Sequence, residues 1–379
     1  MKKVETKKIA IFHNFMDNIG GAERVGLILA RELGADIYTT NIDQDKIKKM
    51  GFEDIIPRIY SIGKVPKSAP FRQQMALWKF RKLNLGRKYD FYIIDGDWAM
   101  SGAVHHKPIL WYVHSPIREI WDLYEYTRQH TVPWFLRWVF DIWVFYNRYL
   151  NKKYADEVSI IVCNSHNTKN RVMKFLGKSA EVIYPPIETG KFISEESGDY
   201  WLSVNRLITH KRVDLQLKAF SRLPNEKLII VGSYEESHHF LKYAKYCNAI
   251  KTDNVQIKNW VGQDELMHLY AHCKGLITSS RDEDFGMNAV EAMASGKPVI
   301  APNEGGYKET VIDGATGTLI DDINEYELIK AVRNMGAILK ADPNHYVAAC
   351  RRRAGEFDVR VFMEGIQNEI IKQHAKKTQ

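Results

Sequence analysis

Short apolar segments alternate with helical patterns along the whole sequence, and this alternation restricts the chain to folds built on parallel β-sheets. The segments with the length and apolar character of buried strands are Lys8–Phe12, Asp36–Thr39, Phe91–Ile94, Pro108–Val113, Ile160–Cys163, Tyr200–Val204, Lys227–Val231, Val255–Trp260, Gly275–Thr278 and Pro298–Ala301. Helical patterns between them include Ala22–Leu33, Thr168–Phe175, Arg212–Arg222, Gln263–His272 and Asn288–Ala294. The sequence therefore predicts an α/β fold.

The length of 379 residues favours two domains over one hydrophobic core. Residues 184–187, Tyr-Pro-Pro-Ile, cannot continue a helix or lie centrally in a sheet, and the residues that follow are polar. We therefore expect an N-terminal domain over residues 1–187, a linker over 188–199 and a C-terminal domain over 200–357. The last segment, 358–379, contains an amphipathic helical pattern that allows it to cross back to the first domain.

The composition, 45% hydrophobic and 26% charged, excludes disordered and fibrous classes. A net charge of +8 suggests an anionic partner: nucleic acid, an anionic membrane surface or a phosphorylated small molecule. No Lys/Arg run exceeds Arg351–Arg353, so nucleic acid is not expected. The four cysteines are far apart, and no segment resembles a signal sequence or a spanning helix. We therefore expect a cytoplasmic protein, with the cytosolic face of a membrane as the alternative.

An aromatic, apolar stretch covers residues 134–146 and is followed by Arg148, Lys152 and Lys153. Two explanations remain open for the segment 134–153. It is either a buried core helix or an interfacial helix whose Trp, Tyr and basic residues contact an anionic membrane.

The segment 279–299 contains two glutamates, Glu283 and Glu291, on either side of a predicted turn at Phe285–Gly286. A strand ends near Ser279 and a helix begins near Met287, so unpaired backbone N–H groups at the helix start favour an anion such as a diphosphate. Carboxylates accept two hydrogen bonds from vicinal hydroxyls, which suits a sugar or a ribose. A helix-start acid and a solvated helix residue are the alternative explanation.

A cationic pair, Arg206 and Lys211, follows another predicted strand of the same domain. Both side chains could bind a diphosphate and stabilise the charge on a leaving nucleoside diphosphate. A basic loop in solvent is the alternative.

The first domain contributes Gly20-Gly21 at a helix start and His114 at a strand end. The glycines permit close approach of a phosphate, and the histidine could orient a sugar or assist proton movement. The alternatives are a tight turn for the glycines and a structural histidine that caps the strand end. The G-x-G-x-x-G fingerprint of dinucleotide binding is absent. D-x-D patterns at residues 95–97 and 282–284 resemble metal sites, but the cationic pair makes a metal unnecessary, and no metal is expected.

Taken together, these motifs resemble family 4 of the GT-B glycosyltransferases, the "glycosyltransferases group 1" type. The resemblance implies two Rossmann-like domains whose parallel sheets face an interdomain cleft. It assigns the donor sugar to Glu283, the nucleotide ribose to Glu291, the diphosphate to Arg206 and Lys211, and a place in the cleft to His114. Residues 112–118 and 120–124 resemble the mannosyltransferase-like branch, which mostly uses GDP-mannose, whereas Met287-Asn288-Ala289 departs from the family's usual residues.

We therefore expect a metal-independent, retaining hexosyltransferase without a cofactor. Its partners are a nucleotide-sugar donor, with GDP-mannose favoured, and a glycan or lipid-linked acceptor. The alternatives are a UDP-sugar-dependent transferase of the same fold, a nucleotide-sugar epimerase and a non-catalytic nucleotide-sugar binder. The expected catalytic residues are His114, Arg206, Lys211 and Glu283. The expected donor-binding residues are Gly20, Gly21, Arg206, Lys211, Val261, Glu283, Phe285, Gly286, Met287, Asn288 and Glu291.

Overall fold

The structure is a computed structural model that describes residues 8–232, 238–259 and 261–378, without the side chains of 238–240 and 374–378. The chain divides into two compact units. Unit 1 extends to Tyr184 and also includes the C-terminal residues from Phe362 onward. Unit 2 consists of Pro185–Val361, so residues 188–199 belong to it.

Unit 1 contains a seven-stranded sheet with the strand order β3-β2-β1-β4-β5-β6-β7. All its strand pairs are parallel. Its strands are β1 (Ile9–Phe12), β2 (Asp36–Thr39), β3 (Ile59–Ser61), β4 (Phe91–Ile94), β5 (Ile109–Val113), β6 (Ile160–Cys163) and β7 (Glu181–Val182). The central strands β1, β4 and β5 are buried along their whole length, as expected for a parallel sheet covered on both faces.

The helices of unit 1 connect these strands. They are α1 (Gly21–Leu33), α2 (Gln44–Lys49), α3 (Phe71–Lys82), α4 (Tyr124–His130), α5 (Arg137–Asp156) and α6 (His166–Leu176). The last helix of the chain, α14 (Val359–Thr378), supplies its part from Phe362 to unit 1. There the Phe362 ring lies edge-on to that of Tyr112, with 5.5 Å between ring centroids.

Helix α5 is buried on one side only. Val144, Leu150 and Tyr154 belong to the hydrophobic core, whereas the aromatic side chains of the opposite side are exposed. The expectation of a buried core helix therefore applies to only one side of α5. In the part of the chain that the structure describes, no helix combines the length and apolarity needed to cross a bilayer.

Unit 2 contains a six-stranded parallel sheet with the order β10-β9-β8-β11-β12-β13. Its strands are β8 (Tyr200–Val204), β9 (Lys227–Val231), β10 (Val255–Lys258), β11 (Leu276–Ile277), β12 (Val299–Pro302) and β13 (Gly317–Ile320). Its helices are α7 (Val213–Phe220), α8 (His238–Ile250), α9 (Gln263–His272), α10 (Met287–Ala294), α11 (Tyr307–Thr310), α12 (Glu325–Ala341) and α13 (Val347–Gly355). Because β8 and β11 are neighbours, the loops that follow them emerge side by side at one edge of the sheet.

The predicted α/β class with parallel sheets is confirmed in both units. Strand β10 ends at Lys258, before the predicted end at Trp260, which lies outside the described residues. The sequence did not predict β3, β7 or β13, which are short or lie at a sheet edge. All four cysteines are buried and free.

Candidate functional site

Two loops of unit 2 bring the predicted cation Lys211 and the predicted acid Glu283 into direct contact. Lys211 ends a 3₁₀ turn that follows β8, and Glu283 lies in the loop between β11 and α10. Lys211 Nζ donates a hydrogen bond to Glu283 Oε2 over 2.5 Å. The two side chains are only 13% and 19% exposed, so water screens their attraction weakly.

The ionisation of Glu283 follows from this contact. Burial opposes the charged form, but the charge and hydrogen bond of Lys211, with a hydrogen bond from Ser280, outweigh it and lower the pKa of Glu283 to about 2. Glu283 is therefore a carboxylate at neutral pH, and it accepts hydrogen bonds without donating any.

Arg212 fixes the loop that presents Lys211. Its backbone is left-handed, with φ of 50°. Its Nε donates to the carbonyl oxygen of Ser279 over 2.5 Å, and its guanidinium pairs with Glu304. In return, Ser279 Oγ donates to the carbonyl oxygen of Lys211, with a distance of 2.8 Å. These bonds tie the β8 loop to the end of β11 and fix the backbone on both sides of the ion pair.

Helix α10 begins next to this pair. Gly286, which precedes it, has φ of +91°, and a Cβ there would lie 2.5 Å from Cε1 of Tyr307. Glycine is therefore required by both conformation and space. Phe285 anchors the turn, since its buried ring lies 5.4 Å from that of Phe357. Asn288 in the first turn donates to the carbonyl oxygen of Val204, over 3.0 Å, at the end of β8.

The second glutamate, Glu291, is buried in α10 with 8% exposure. Its Oε2 accepts a hydrogen bond of 2.8 Å from the hydroxyl of Tyr270, which is fully buried. The alternative of a solvated helix residue is therefore wrong for Glu291. A carboxylate held in this way keeps a fixed position and retains capacity for further hydrogen bonds.

The other predicted residues of unit 2 lie in loops or at the start of α10. Arg206 is exposed in the loop after β8, five positions before Lys211. Met287 is the first residue of α10 and is half-buried. Val261 is half-buried between β10 and α9.

In unit 1, His114 follows β5 and takes part in a buried network. Its Nε2 lies 2.7 Å from Oδ1 of Asp95, and Nδ1 of His13 lies 2.9 Å from Oδ2 of the same carboxylate. Asp95 is fully buried, and burial opposes its charge, but His114 and His13 outweigh that effect and lower its pKa. Burial likewise opposes protonation of His13, but Asp95 raises its pKa. Both oxygens of the D-x-D residue Asp95 thus have histidine partners.

Gly20 and Gly21 form the start of α1 in unit 1. Gly20 is the N-cap residue, with extended backbone, and its carbonyl oxygen accepts the first intrahelical bond from Arg24. The structure thus places the glycines at a helix start, as the sequence predicted.

Several residues of the site were not predicted, namely His13, Ser279, Arg212, Tyr270, Glu304 and Tyr307. Glu304 is the second residue after β12 and precedes a Gly-Gly pair, a sequence pattern similar to that at Gly20-Gly21. No comparable sequence signal marks Tyr270, which lies within the apolar stripe of α9.

Comparisons with known proteins agree with this architecture. The family described as Glycosyltransferase Family 4 matches residues 19–191, and the family described as Glycosyl transferases group 1 matches residues 188–338. The uncharacterized glycosyltransferase MJ1178 of Methanocaldococcus jannaschii is 33% identical over 185 residues, which cover 48% of this chain and 50% of the relative. The chain therefore matches about half the length of that relative.

A longer match is to the alpha-1,3/1,6-mannosyltransferase ALG2 of Candida glabrata, 26% identical over 80% of this chain and 78% of the relative. Among solved structures, Anabaena HepE in complex with UDP and glucose superimposes with a TM-score of 0.74 at 18% identity, covering 96% of this chain and 99% of HepE. That likeness concerns the fold, which is GT-B. The two family matches follow each other along the chain and together extend from residue 19 to residue 338. The chain therefore belongs to glycosyltransferase family 4 and resembles its mannosyltransferase-like branch.

Proposed function

We propose that this glycosyltransferase is a retaining enzyme that transfers a hexose, mannose from GDP-mannose, to a glycan or lipid-linked acceptor without a metal ion. The observation that carries the proposal is the partly buried Lys211–Glu283 pair beside the start of α10. The proposal is supported by a cation suited to a diphosphate, a carboxylate suited to sugar hydroxyls and a helix start suited to an anion, which lie within one small region.

Glu283 acts in this proposal by binding and not by moving a proton. A group with a pKa of about 2 is a poor base near pH 7, because efficient general bases have a pKa close to the working pH. As a carboxylate it orients the sugar through its hydroxyls. Lys211 and the exposed Arg206 bind the diphosphate and stabilise the charge that develops on it as the glycosidic bond breaks.

Retention of configuration is proposed from the resemblance to family 4. The two carboxylates of the predicted site already have partners, Glu283 in Lys211 and Glu291 in Tyr270, which disfavours a covalent glycosyl-enzyme intermediate on either of them. Attack from the same face as the leaving group, with the donor phosphate taking the acceptor's proton, is consistent with that arrangement. Glu291 binds the ribose. In unit 1, His114 orients the transferred sugar, and Gly20 and Gly21 approach the diphosphate.

The choice of mannose is supported by the mannosyltransferase relative ALG2, and the choice of GDP follows from the resemblance to the mannosyltransferase-like branch. The residues Met287, Asn288 and Ala289 at the start of α10 are where a different donor sugar would be accommodated. A UDP-sugar donor is the alternative to test, and GDP-mannose and UDP-glucose should be compared directly.

The test is transfer from each donor to a panel of short glycans and synthetic lipid-linked sugars, with the anomeric configuration of the first product read by NMR. We expect the donor's configuration to be retained, and an inverted product would overturn the mechanism. Glu283→Gln should lower kcat by about 10²–10³ without weakening GDP binding. The matched control Glu327→Gln, an acid at the start of α12, should behave as wild type.

The same experiment separates the remaining alternatives. Conversion of the nucleotide sugar without an acceptor would indicate an epimerase, and binding without turnover would indicate a non-catalytic binder. Activity should survive EDTA, whereas its loss would point to a required metal ion.

A further inference from the structure

One face of the segment 134–149 consists of large apolar side chains that contact solvent. We call it the aromatic face, and its members are Trp134, Phe135, Trp138, Ile142, Phe145 and Tyr149. Trp138, Ile142, Phe145 and Tyr149 recur every three or four residues, so they form one stripe along α5. Trp134 and Phe145 are each 78% exposed. A continuous apolar stripe of this kind on a folded surface indicates an interaction site.

The exposure of this face follows from how the rest of α5 is packed. Val144, Leu150 and Tyr154 are buried in the core of unit 1, and the Trp143 ring lies 6.0 Å from that of Trp98. The side chain of Asn151 accepts a hydrogen bond of 2.9 Å from the indole of Trp121. The helix therefore cannot rotate to bury the aromatic face without exposing its core side.

The charges around the aromatic face are mainly positive. Lys152 and Lys153 are exposed at its C-terminal end. The acids of α5 are already paired, Asp141 with Arg128 at 2.8 Å and Asp156 with Lys178 at 2.5 Å. The surface thus combines large aromatic side chains with exposed lysines, the combination that characterises helices lying in the headgroup region of anionic bilayers.

We propose that the aromatic face docks onto an anionic lipid bilayer, with Trp138 and Phe145 inserted at the headgroup boundary and Lys152 and Lys153 against lipid phosphates. Trp and Tyr suit this boundary because their rings are apolar and their N–H and O–H groups reach water. A second copy of the chain fits less well. Twofold pairing through this face would bring together two chains that each carry a net charge of +8.

The proposal does not depend on the donor sugar or on catalysis, so it can be tested by binding alone. The full chain is sedimented with vesicles of phosphatidylcholine and phosphatidylglycerol (7:3) and with vesicles of phosphatidylcholine only. We expect binding to the anionic vesicles that weakens at high salt, and much weaker binding to the neutral ones.

The double variant Trp138→Ser/Phe145→Ser should lower the affinity for the anionic vesicles by about tenfold or more, because it removes the two side chains proposed to insert. The matched control Tyr326→Ser/Ile312→Ser removes two exposed apolar side chains from unit 2, where they are 69% and 45% exposed, and should bind as wild type. Equal thermal stability of the variants shows that the loss is local. Unchanged vesicle binding by the first variant overturns the proposal. So does a wild-type dimer in light scattering that this variant makes monomeric.

Discussion

Removal of one partner from the Lys211–Glu283 pair tests whether this partly buried ion pair stabilises the fold. Lys211→Met keeps most of the side-chain volume but leaves the Glu283 carboxylate without its cation, 2.5 Å away in the wild type. The pKa of Glu283 is lowered from 4.5 to about 2, which corresponds to roughly 3 kcal/mol of interaction. Because the side chains keep 13% and 19% exposure, we expect a loss of about 2–3 kcal/mol in the free energy of unfolding at pH 7.

The pH dependence gives the sharper test. A carboxyl with a lowered pKa in the folded state stabilises the protein above the pKa of the unfolded state, and that stability is lost as the pH falls through the folded pKa. The difference in stability between wild type and Lys211→Met should therefore be full above about pH 4.5 and shrink as the pH approaches 2. Urea unfolding, followed with hydrogen exchange of peptides from unit 2, measures this difference.

Two further variants control the experiment. Lys297 is a buried lysine whose Nζ donates to the carbonyl oxygen of Glu195 and the hydroxyl of Ser197. Lys297→Met should therefore lower the free energy of unfolding, but the difference from wild type should not shrink as the pH falls towards 2. The double variant Lys211→Met/Glu283→Gln should be more stable than the sum of the two single changes predicts. The ion-pair reasoning would be refuted if the effects of the two single changes on stability were additive and the stability difference between wild type and Lys211→Met were the same at pH 7 and pH 3.

Three other predictions concern the surroundings of the site. Gly286→Ala should weaken GDP binding and lower the melting temperature, because φ is +91° and the new Cβ would meet the buried ring of Tyr307. Gly34→Ala is the control: φ is +60° but the space is open, so it should lower the free energy of unfolding by only about 1 kcal/mol and leave GDP binding unchanged. Tyr270→Phe removes the hydroxyl that donates a hydrogen bond to the buried Glu291. It should lower nucleotide affinity about tenfold in calorimetry and leave kcat unchanged. Asp95 raises the pKa of His13. Protonation of His13 therefore stabilises the protein below about pH 6.5, and this stabilisation is lost as the pH rises. In wild type the free energy of unfolding should thus increase from pH 8 to pH 6 through this group, and Asp95→Asn should remove that increase.

The central strands of both sheets could be predicted because burial on both faces gives them continuous apolar sequences. Strands β4 and β8, for example, have the bounds that the sequence indicates. Strand β3 has one half-buried and two exposed residues, so it lacks that signal. In β13, Gly317 packs against the backbone of Val299, and a strand that begins with glycine has weak strand character in the sequence.

The site was predictable to the extent that its residues follow strand ends. Lys211 and Glu283 are 72 positions apart, and their contact depends on β8 and β11 being neighbours, which local patterns do not reveal. The network of His13, Asp95 and His114 is a similar case, since 82 positions separate its first two members. A D-x-D pattern suggested a metal ligand there, and only the fold shows that imidazoles surround the carboxylate.

The Lys211–Glu283 contact also bears on how a donor would be recognised under the proposed function. A diphosphate bound at Lys211 would compete with Glu283 for the same cation and weaken the interaction that keeps the carboxylate ionised. Sugar hydroxyls would offset this loss, because they donate hydrogen bonds to the carboxylate that a nucleoside diphosphate alone does not provide. The pair therefore favours binding of the intact nucleotide sugar over binding of the product nucleoside diphosphate. Once the sugar has left, Glu283 again competes with the diphosphate for Lys211, which helps to release the product.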